Sequence, residues 1–425
     1  MNADPGYFER KRQELRLIAR ALGRSRCRRV GSIEAAIEEK FRLGAELRAA
    51  HARQTRDSTE TNWKSGAVLR SGPFAFSYRY QRADLAVIGP FPYGLVERSG
   101  SASVRELIYT CSGMAAISVV LLAIAGTSDR KPAFLHLAGA YKETLELAAT
   151  IGFRTACLGR VEAESAEHKG RSILWLDSLP CGESATKLHD GAQAADLVIC
   201  DTTALPAQSG RIRRFLQWVR EARSPVVLVR SHTKLDTLGI EYGRLGSVVF
   251  LTFPEIPLAK LARWRSIARS APNIVRLLGV AALPSQFCPY ADGPTYWRLS
   301  SQRSASILHN GRLVARILAQ QLGQSAVRQY GHGAFAAVLP PRPGGESEVV
   351  AEAAQLAEAL SDAGLPVRHA GSFGFDFVAL DGFFDTAVER HLLRVAAADL
   401  PATVSARIAD GIGAWWTRRR QRRVA

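Results

Sequence analysis

The sequence lacks any long apolar run. Its longest mostly apolar stretch, residues 114–126, is far shorter than the roughly 20 residues that a helix needs to cross a bilayer. The opening residues, MNADPGYFERKRQELR, are charged from the start and lack the apolar region of a secretory signal. We therefore expect a cytoplasmic protein that makes no contact with a membrane.

Cysteine and histidine are sparse and scattered. The chain of 425 residues has six cysteines, with no C-x-x-C pair, and nine dispersed histidines. In a cytoplasmic chain such cysteines are buried small side chains rather than disulfide or zinc partners. We predict no metal site.

Acidic residues are fewer than basic ones. Lys and Arg number 56 against 39 Asp and Glu, which gives a net charge of +17. This surplus favours acidic partners such as phosphates, nucleic acid or anionic membranes. The basic residues concentrate in the first 60 positions and in the ending TRRRQRRVA, where solvated helix faces and a solvated tail are the simpler interpretation.

The remaining sequence predicts three structural parts and a tail. Residues 8–56 have the spacing of two helices broken near residues 24–31, with Ser32 as the N-cap of the second, so residues 1–75 are predicted to form a helical arm. From about residue 84, short apolar runs alternate with amphipathic helices; the runs are AFLHL, SILWL, DLVICD and PVVLVRS. This alternation predicts an α/β domain over residues 76–290, with a doubly wound and mostly parallel sheet.

The third part has another pattern. A long helix is predicted over residues 295–322, followed by the strand-like runs AFAAVLP and GSFGFDFVAL with a helix between them. A last helix is predicted over residues 385–397. Residues 291–417 are thus predicted to be a smaller α+β domain, and residues 418–425 a basic tail. No internal repeat is visible.

Polar residues follow several predicted strands where each one ends. Asp201 ends DLVICD, and Ser231, Thr233 and Lys234 follow PVVLV. Ligands of open α/β sheets bind at the carboxyl ends of the strands. An acid, two hydroxyls and a lysine in that place are parts of a site for pyridoxal 5'-phosphate (PLP).

Each of these residues has a role in that interpretation. Lys234 would form the Schiff base with PLP, because a lysine amine is both a nucleophile and a proton carrier. Asp201 would pair with the pyridinium nitrogen, and Tyr141, after AFLHL, would stack on the ring. The free amides of a helix start can hold an anion. The phosphate would therefore be held by Ser112, Gly113, Met114, Ser231 and Thr233.

The same motifs carry a family resemblance. SGMAA, the tyrosine of AYKET, the aspartate of DTT and S-x-T-K, in that order, resemble the Cys/Met-metabolism family of fold type I PLP-dependent enzymes, which includes cystathionine gamma-lyase and methionine gamma-lyase. Three further segments are similar to motifs of that family: YRYQR to Y-x-Y-x-R, GSFGFDF to S-L-G-G, and RIADGI to R-L-S-V-G-I.

The resemblance implies further site residues. Tyr80 and Arg82 would reach the phosphate of the neighbouring subunit, which implies a homodimer or homotetramer with a shared active site. Arg407 would hold the substrate α-carboxylate, and Ser372 and Phe373 would lie at the substrate.

The resemblance also implies the fold and the reaction. The fold would be that of fold type I PLP-dependent transferases. The reaction would be elimination or replacement at the β or γ carbon of a small amino acid, with a thiolate, acyloxy group or halide leaving. Lys234 would remove the Cα proton, and Tyr141 would assist the leaving group.

Several segments differ from the family pattern. ADLAVIGP stands where N-P-T is expected, LDSLPCG replaces E-x-P-x-N-P, and LDTLGIEYGRLGS follows Lys234 where the family has G-H-S-D. Because these segments line the substrate side, the resemblance defines the sheet and the cofactor better than the reaction. A PLP-dependent aminotransferase is the alternative enzyme.

Simpler interpretations stay open for the individual residues. Lys234 could be an exposed loop lysine, Asp201 a helix cap and Tyr141 a core aromatic. Tyr80 and Arg82 could belong to an ordinary polar strand face, and Arg407 could be a surface arginine. An alternative of another class is a regulatory or nucleic-acid-binding protein that has a PLP fold and uses its basic ends as a contact surface, although we expect no nucleic-acid partner.

Overall fold

The computed structural model describes residues 5–55, 60–64, 66–93, 103–127, 131–158, 171–178, 195–340 and 344–422. The chain forms two compact units. The first contains residues 1–47, 238–240 and 293–425; the second contains residues 48–237 and 241–292. This division places residues 1–47 with the C-terminal part of the chain, whereas the sequence prediction treated residues 1–75 as a separate arm. No helix of the described residues is long and apolar enough to span a membrane.

The second unit is built on a seven-stranded sheet in the order β4-β10-β9-β8-β7-β5-β6. Its strands are β4 (Ser103–Thr110), β5 (Ala133–Leu137), β6 (Thr155–Leu158), β7 (Ser172–Asp177), β8 (Leu197–Asp201), β9 (Val226–Ser231) and β10 (Gly246–Thr252). Strand β10 runs in the direction opposite to the other six strands. The predicted mostly parallel sheet is confirmed.

Both faces of this sheet are covered, as the continuous apolar strands require. Successive residues of one strand enter different cores: Ile173 and Trp175 lie in one apolar cluster, and Leu174 and Leu176 in the other. The helices of this part of the unit are α4 (Gly113–Gly126), α5 (Lys142–Ile151), α6 (Gly210–Glu221) and α7 (Leu258–Leu278). Helix α4 is apolar almost all round because it packs against both α7 and the sheet.

The second unit also contains a small antiparallel sheet that sequence reasoning did not predict. It consists of β1 (Leu69–Ser71), β2 (Phe74–Ser77) and β3 (Ala86–Ile88), with the short helix α3 (Gln81–Asp84) before β3. Phe74 and Phe76 pack against Phe287, with ring centroids 5.0 and 4.9 Å away. This contact with a residue far along the chain stabilises three very short strands.

The first unit has a five-stranded sheet in the order β11-β12-β15-β14-β13. The strands are β11 (Val327–Tyr330), β12 (Phe335–Val338), β13 (Val367–His369), β14 (Val378–Asp385) and β15 (Arg390–Ala396). The helices that begin in this unit are α1 (Pro5–Ala21), α2 (Ile33–Thr55), α8 (Gly293–Leu322), α9 (Glu346–Asp362) and α10 (Ala402–Arg422). The two N-terminal helices are confirmed, and Ser32 Oγ accepts the Ala35 amide at 3.1 Å as the predicted N-cap.

The helix predicted over residues 385–397 is wrong. Strand β14 ends at Asp385, and β15 pairs with β14 on one side and with β12 on the other. The segment is rich in Leu, Ala and Arg, which favour helix. Pairing on both sides overrides that preference and buries Leu392, Leu393, Val395 and Ala396.

A buried group of charges joins the two ends of the first unit. Lys11 Nζ lies 2.6 Å from Asp376 Oδ1 and 2.6 Å from Asp399 Oδ2. Lys40 contacts Glu14 and lies 2.5 Å from Asp376 Oδ2. Each cation is thus matched by carboxylates, as burial of charge demands.

Candidate functional site

The carboxyl ends of six strands of the second unit lie at one edge of the sheet. These strands are β4, β5, β6, β7, β8 and β9, and at this edge Asp177 and Asp201 are register partners. Parallel strands present their last residues and the following loops together. The structure therefore brings to one edge the predicted residues Ser112, Gly113, Met114, Tyr141, Asp201, Ser231, Thr233 and Lys234.

The start of helix α4 lies directly against the end of β9. A methyl group at Gly113 would lie 2.7 Å from Ser231 Cβ, and one at Gly246 would lie 2.1 Å from Ser112 O. Only glycine allows these two approaches. Ser112 caps the helix: its Oγ accepts the Ala115 amide at 3.0 Å.

The first amides of α4 are suited to an anion. Ser112 uses its side chain for the Ala115 amide and its carbonyl for the Ala116 amide. Within the described part of the chain, the amides of Gly113 and Met114 have no acceptor. Such amides at a helix N-terminus favour phosphate or carboxylate groups.

Asp201 is a buried acid at the end of β8. Its Oδ1 accepts the Thr203 amide at 2.8 Å, and Thr203 Oγ1 accepts the Ser231 amide at 2.9 Å. Burial raises the pKa of Asp201, although hydrogen bonds from Thr203 and the charge of Arg230 oppose that rise. Among the described residues, no cation forms an ion pair with it, so a cationic ligand group beside it would stabilise its ionised form.

Tyr141 stands at the start of helix α5. Its amide donates to Asp177 Oδ2 at 3.0 Å, which fixes the strand-to-helix turn to the end of β7. Sequence reasoning missed Asp177 and Thr203. The signal available was their position at or just after a strand end, the same signal that identified Asp201.

Lys234 lies in the turn that follows β9. It is partly exposed, and its Nζ lies 3.8 Å from Glu241 Oε1. Thr233 Oγ1 donates to the Gly243 carbonyl at 3.3 Å. Lys234 thus has a carboxylate beside it, Glu241, which sequence reasoning did not identify.

Tyr80 and Arg82 lie at helix α3 of the same unit. The Arg82 guanidinium donates to the Tyr80 hydroxyl, stands 5.1 Å from its ring centroid and lies 3.6 Å from Glu60 Oε2. Arg82 is exposed. The Tyr80 amide also donates to Asp84 Oδ1 at 2.8 Å.

The other three predicted residues belong to the first unit. Arg407 is on the exposed face of helix α10, and Ser372 and the buried Phe373 lie in the irregular segment before β14. Arg394, on β15, was missed: its Nη2 lies 3.2 Å from Asp381 Oδ2 and 3.9 Å from a methyl group built at Gly371. Arg394 therefore lies beside the segment of Ser372. The predicted substrate segment after Asp177 falls largely outside the described residues.

The sequence matches no protein-family model and no curated protein. Many solved structures are similar to the chain, among them the following three, which are all at low identity. An archaeal alanine:glyoxylate aminotransferase is 12% identical, with a TM-score of 0.51, 92% of this chain covered and 96% of that one. A methionine gamma-lyase from Micromonospora echinospora is 15% identical (TM-score 0.48, coverage 86% and 98%), and a serine palmitoyltransferase from Sphingomonas wittichii is 14% identical (TM-score 0.49, coverage 86% and 82%). The likeness to the aminotransferase confirms the predicted fold class: the chain has the α/β architecture of fold type I PLP-dependent transferases.

Proposed function

We propose that this protein binds PLP through Lys234 and uses it to transform a small amino acid. One observation carries the proposal: three features of a PLP site lie at one sheet edge. They are the glycine-dependent start of helix α4, the buried Asp201 at the end of β8, and Lys234 just after β9.

The residues fit the two ends of the cofactor. The Gly113 and Met114 amides and the Ser231 hydroxyl supply donors for a phosphate, at a helix start where only glycine fits. The Thr233 hydroxyl would join them by turning from the Gly243 carbonyl to the phosphate. At the other end, the buried Asp201 lacks an ion-pair partner among the described residues. The protonated ring nitrogen of PLP is a cation that would form an ion pair with Asp201.

When bound, PLP supplies an electron sink that stabilises negative charge at the substrate Cα. The chain supplies the groups around it. Lys234 would hold the cofactor and would then serve as the base for the Cα proton. Asp201, when ionised, would pair with the ring nitrogen, and Tyr141, whose amide donates to Asp177, would lie at the ring and assist the leaving group. Arg407 is the proposed contact for the α-carboxylate beside Ser372 and Phe373, with Arg394 as the alternative contact.

The proposed reaction is elimination or replacement at the β or γ carbon, with a thiolate, acyloxy group or halide leaving. The family motifs SGMAA and S-x-T-K support it. Elimination would release a keto acid and ammonia, whereas an aminotransferase would need a keto-acid acceptor and release no ammonia. A product assay with amino acids that carry γ-leaving groups therefore separates the two reactions.

The visible absorption spectrum of the purified protein with added PLP tests the proposal. We expect a yellow band that borohydride abolishes, present in the protein and in a Lys64→Ala control, and missing from Lys234→Ala. Lys64 is an exposed lysine far along the chain from the strand ends. A protein that takes up no PLP, or a Lys234→Ala variant that keeps the band, would overturn the proposal. Nucleic-acid binding that weakens with salt, in a protein without the band, would favour the regulatory alternative.

A further inference from the structure

A chain of hydrogen bonds links the residues on either side of Lys234. His232 Nδ1 lies 2.8 Å from Asp236 Oδ2, and its Nε2 lies 2.8 Å from Ser247 Oγ. His232 and Asp236 are four residues apart, so their contact closes one turn of the chain around Lys234, which is the middle residue. The backbone of His232 is also fixed, since its amide donates to the Leu245 carbonyl at 2.8 Å.

Arg230 joins this turn to the loop that follows Asp201. Its Nε and Nη2 donate to the two oxygens of Asp236 at 2.7 and 2.6 Å. Its Nη1 donates to the carbonyls of Thr202 and Leu205 at 2.7 and 2.8 Å. The guanidinium is fully buried and all of these are charge-assisted bonds, which are strong and directional.

The negative charge of this network is carried by Asp236. Burial raises the pKa of Asp236, but the charge of Arg230 and the hydrogen bonds from Arg230 and His232 more than offset it and hold the pKa well below its usual value. An ionised Asp236 accepts the Nδ1 proton of His232. The other ring nitrogen, Nε2, shares a hydrogen bond with the Ser247 hydroxyl.

The order Ser247–His232–Asp236 is also that of a serine nucleophile, its base and the group that orients the base. Ser247, however, is completely buried in β10. A nucleophile must reach a substrate, so burial excludes that role. What the network does reach is the backbone on both sides of Lys234.

We propose that the His232–Asp236 pair, anchored through Arg230, is the device that positions Lys234 to capture the cofactor aldehyde. This inference rests on the proposed function. His232, Asp236 and Arg230 are positioning residues, because none of them acts on the cofactor itself. Each holds the turn in which the amine of Lys234 is presented.

Two substitutions of His232 separate the two ends of its ring. His232→Asn places an amide donor near the position of Nδ1 and can still bond Asp236. His232→Gln places it near Nε2 and bonds only toward Ser247. Both lose the ring, so both share any packing cost, which urea unfolding measures. If the glutamine variant does not fold, His232→Ala replaces it. This variant also loses the His232–Asp236 hydrogen bond but keeps the Arg230–Asp236 pair.

The first readout is the rate at which PLP-free protein develops the visible band after PLP is added. We expect His232→Asn to stay within a few-fold of the unchanged protein and His232→Gln to be slower by about tenfold or more, since small misplacement of a reacting group is costly. The second readout needs no cofactor: backbone amides of residues 232–237 should exchange hydrogen faster in the glutamine variant than in the asparagine variant.

The outcomes are distinguishable. Equal capture rates and equal exchange in the two variants would overturn the positioning role, whatever their stability. If the unchanged protein develops no band at all, the proposed function fails, and the exchange comparison alone then decides whether the pair holds the turn.

Discussion

Two glycines determine how closely the start of helix α4 approaches its neighbours. A methyl group at Gly246 would lie 2.1 Å from the backbone oxygen of Ser112, and one at Gly113 would lie 2.7 Å from Ser231 Cβ. Both distances are shorter than any real carbon contact, so the backbone must move. We expect Gly246→Ala to lower the free energy of unfolding by about 1–3 kcal/mol, the usual cost of overpacking. It should also weaken PLP binding, because Ser112 caps the helix proposed to hold the phosphate.

The matched control lies at the other end of the same helix. A methyl group at Gly126 would meet nothing within 4 Å. Gly126→Ala should therefore leave both stability and PLP affinity nearly unchanged. Urea unfolding and titration of the visible band measure the two quantities. A Gly246→Ala protein as stable as the Gly126→Ala protein would contradict the close packing described above.

At the scale of the elements, burial on two faces decided which segments the sequence could predict. The runs AFLHL and SILWL are strands β5 and β7 because each residue along them enters an apolar core, and this need leaves a continuous apolar signal. The segment of β15 leaves none, since its Leu, Ala and Arg residues suit a helix equally well. What makes it a strand is its pairing with β12 and β14, and the residues of β15 alone do not reveal that pairing.

The candidate site was predictable to the same extent. The rule that ligands lie at the carboxyl ends of strands led from local sequence alone to Asp201 and Lys234, which the structure places at or just after strand ends. It could not identify Thr203, whose hydroxyl accepts the Ser231 amide, or the ion pair between Arg230 and Asp236. Those roles depend on hydrogen bonds that link one strand end to another. Arg394 was missed because its strand was predicted as a helix.

At the scale of the whole molecule, the buried charges of the first unit make its stability depend on pH. Burial raises the pKa of Asp376 and Asp399, but the charges of Arg303 and Lys11 outweigh it, and both pKa values lie below the usual value. A carboxyl group with a lowered pKa stabilises the fold above its unfolded pKa, about 3.9. That contribution is lost as the pH falls through the folded pKa.

We therefore expect the urea midpoint to fall on acidification below about pH 4, as Asp376 and Asp399 take up protons on unfolding. Asp376→Asn should lower stability at neutral pH by about 3–5 kcal/mol, because it removes one of the carboxylates that the buried cations Lys11, Lys40 and Arg303 share. It should also make the acid decline shallower. Glu255→Gln, at an exposed pair with Arg220, is the control and should change neither. An unchanged acid decline in Asp376→Asn would show that this carboxylate does not carry the pH dependence.

The last prediction concerns the assembly. The family resemblance implies that Tyr80 and Arg82 serve the phosphate of a neighbouring subunit, whereas Asp201 and Lys234 lie at one edge of the sheet of a single chain. If so, Lys234→Ala and Arg82→Ala damage different subunits' contributions to a site. Co-expression of the two variants with different tags should restore about a quarter of the activity of the unchanged protein. Half of the dimers are mixed, and each mixed dimer has one complete site out of two.

The control pairs two residues of the same edge. Co-expression of Lys234→Ala with Asp201→Ala should restore nothing, because every site then keeps one of the two defects. Purification over both tags isolates the mixed dimers, and the visible band together with substrate turnover reports the complete sites. Restoration in neither mixture would mean that Arg82 serves its own subunit. In that case the contact of Arg82 with Tyr80 and Glu60 would be its whole role, and one subunit would carry a complete site.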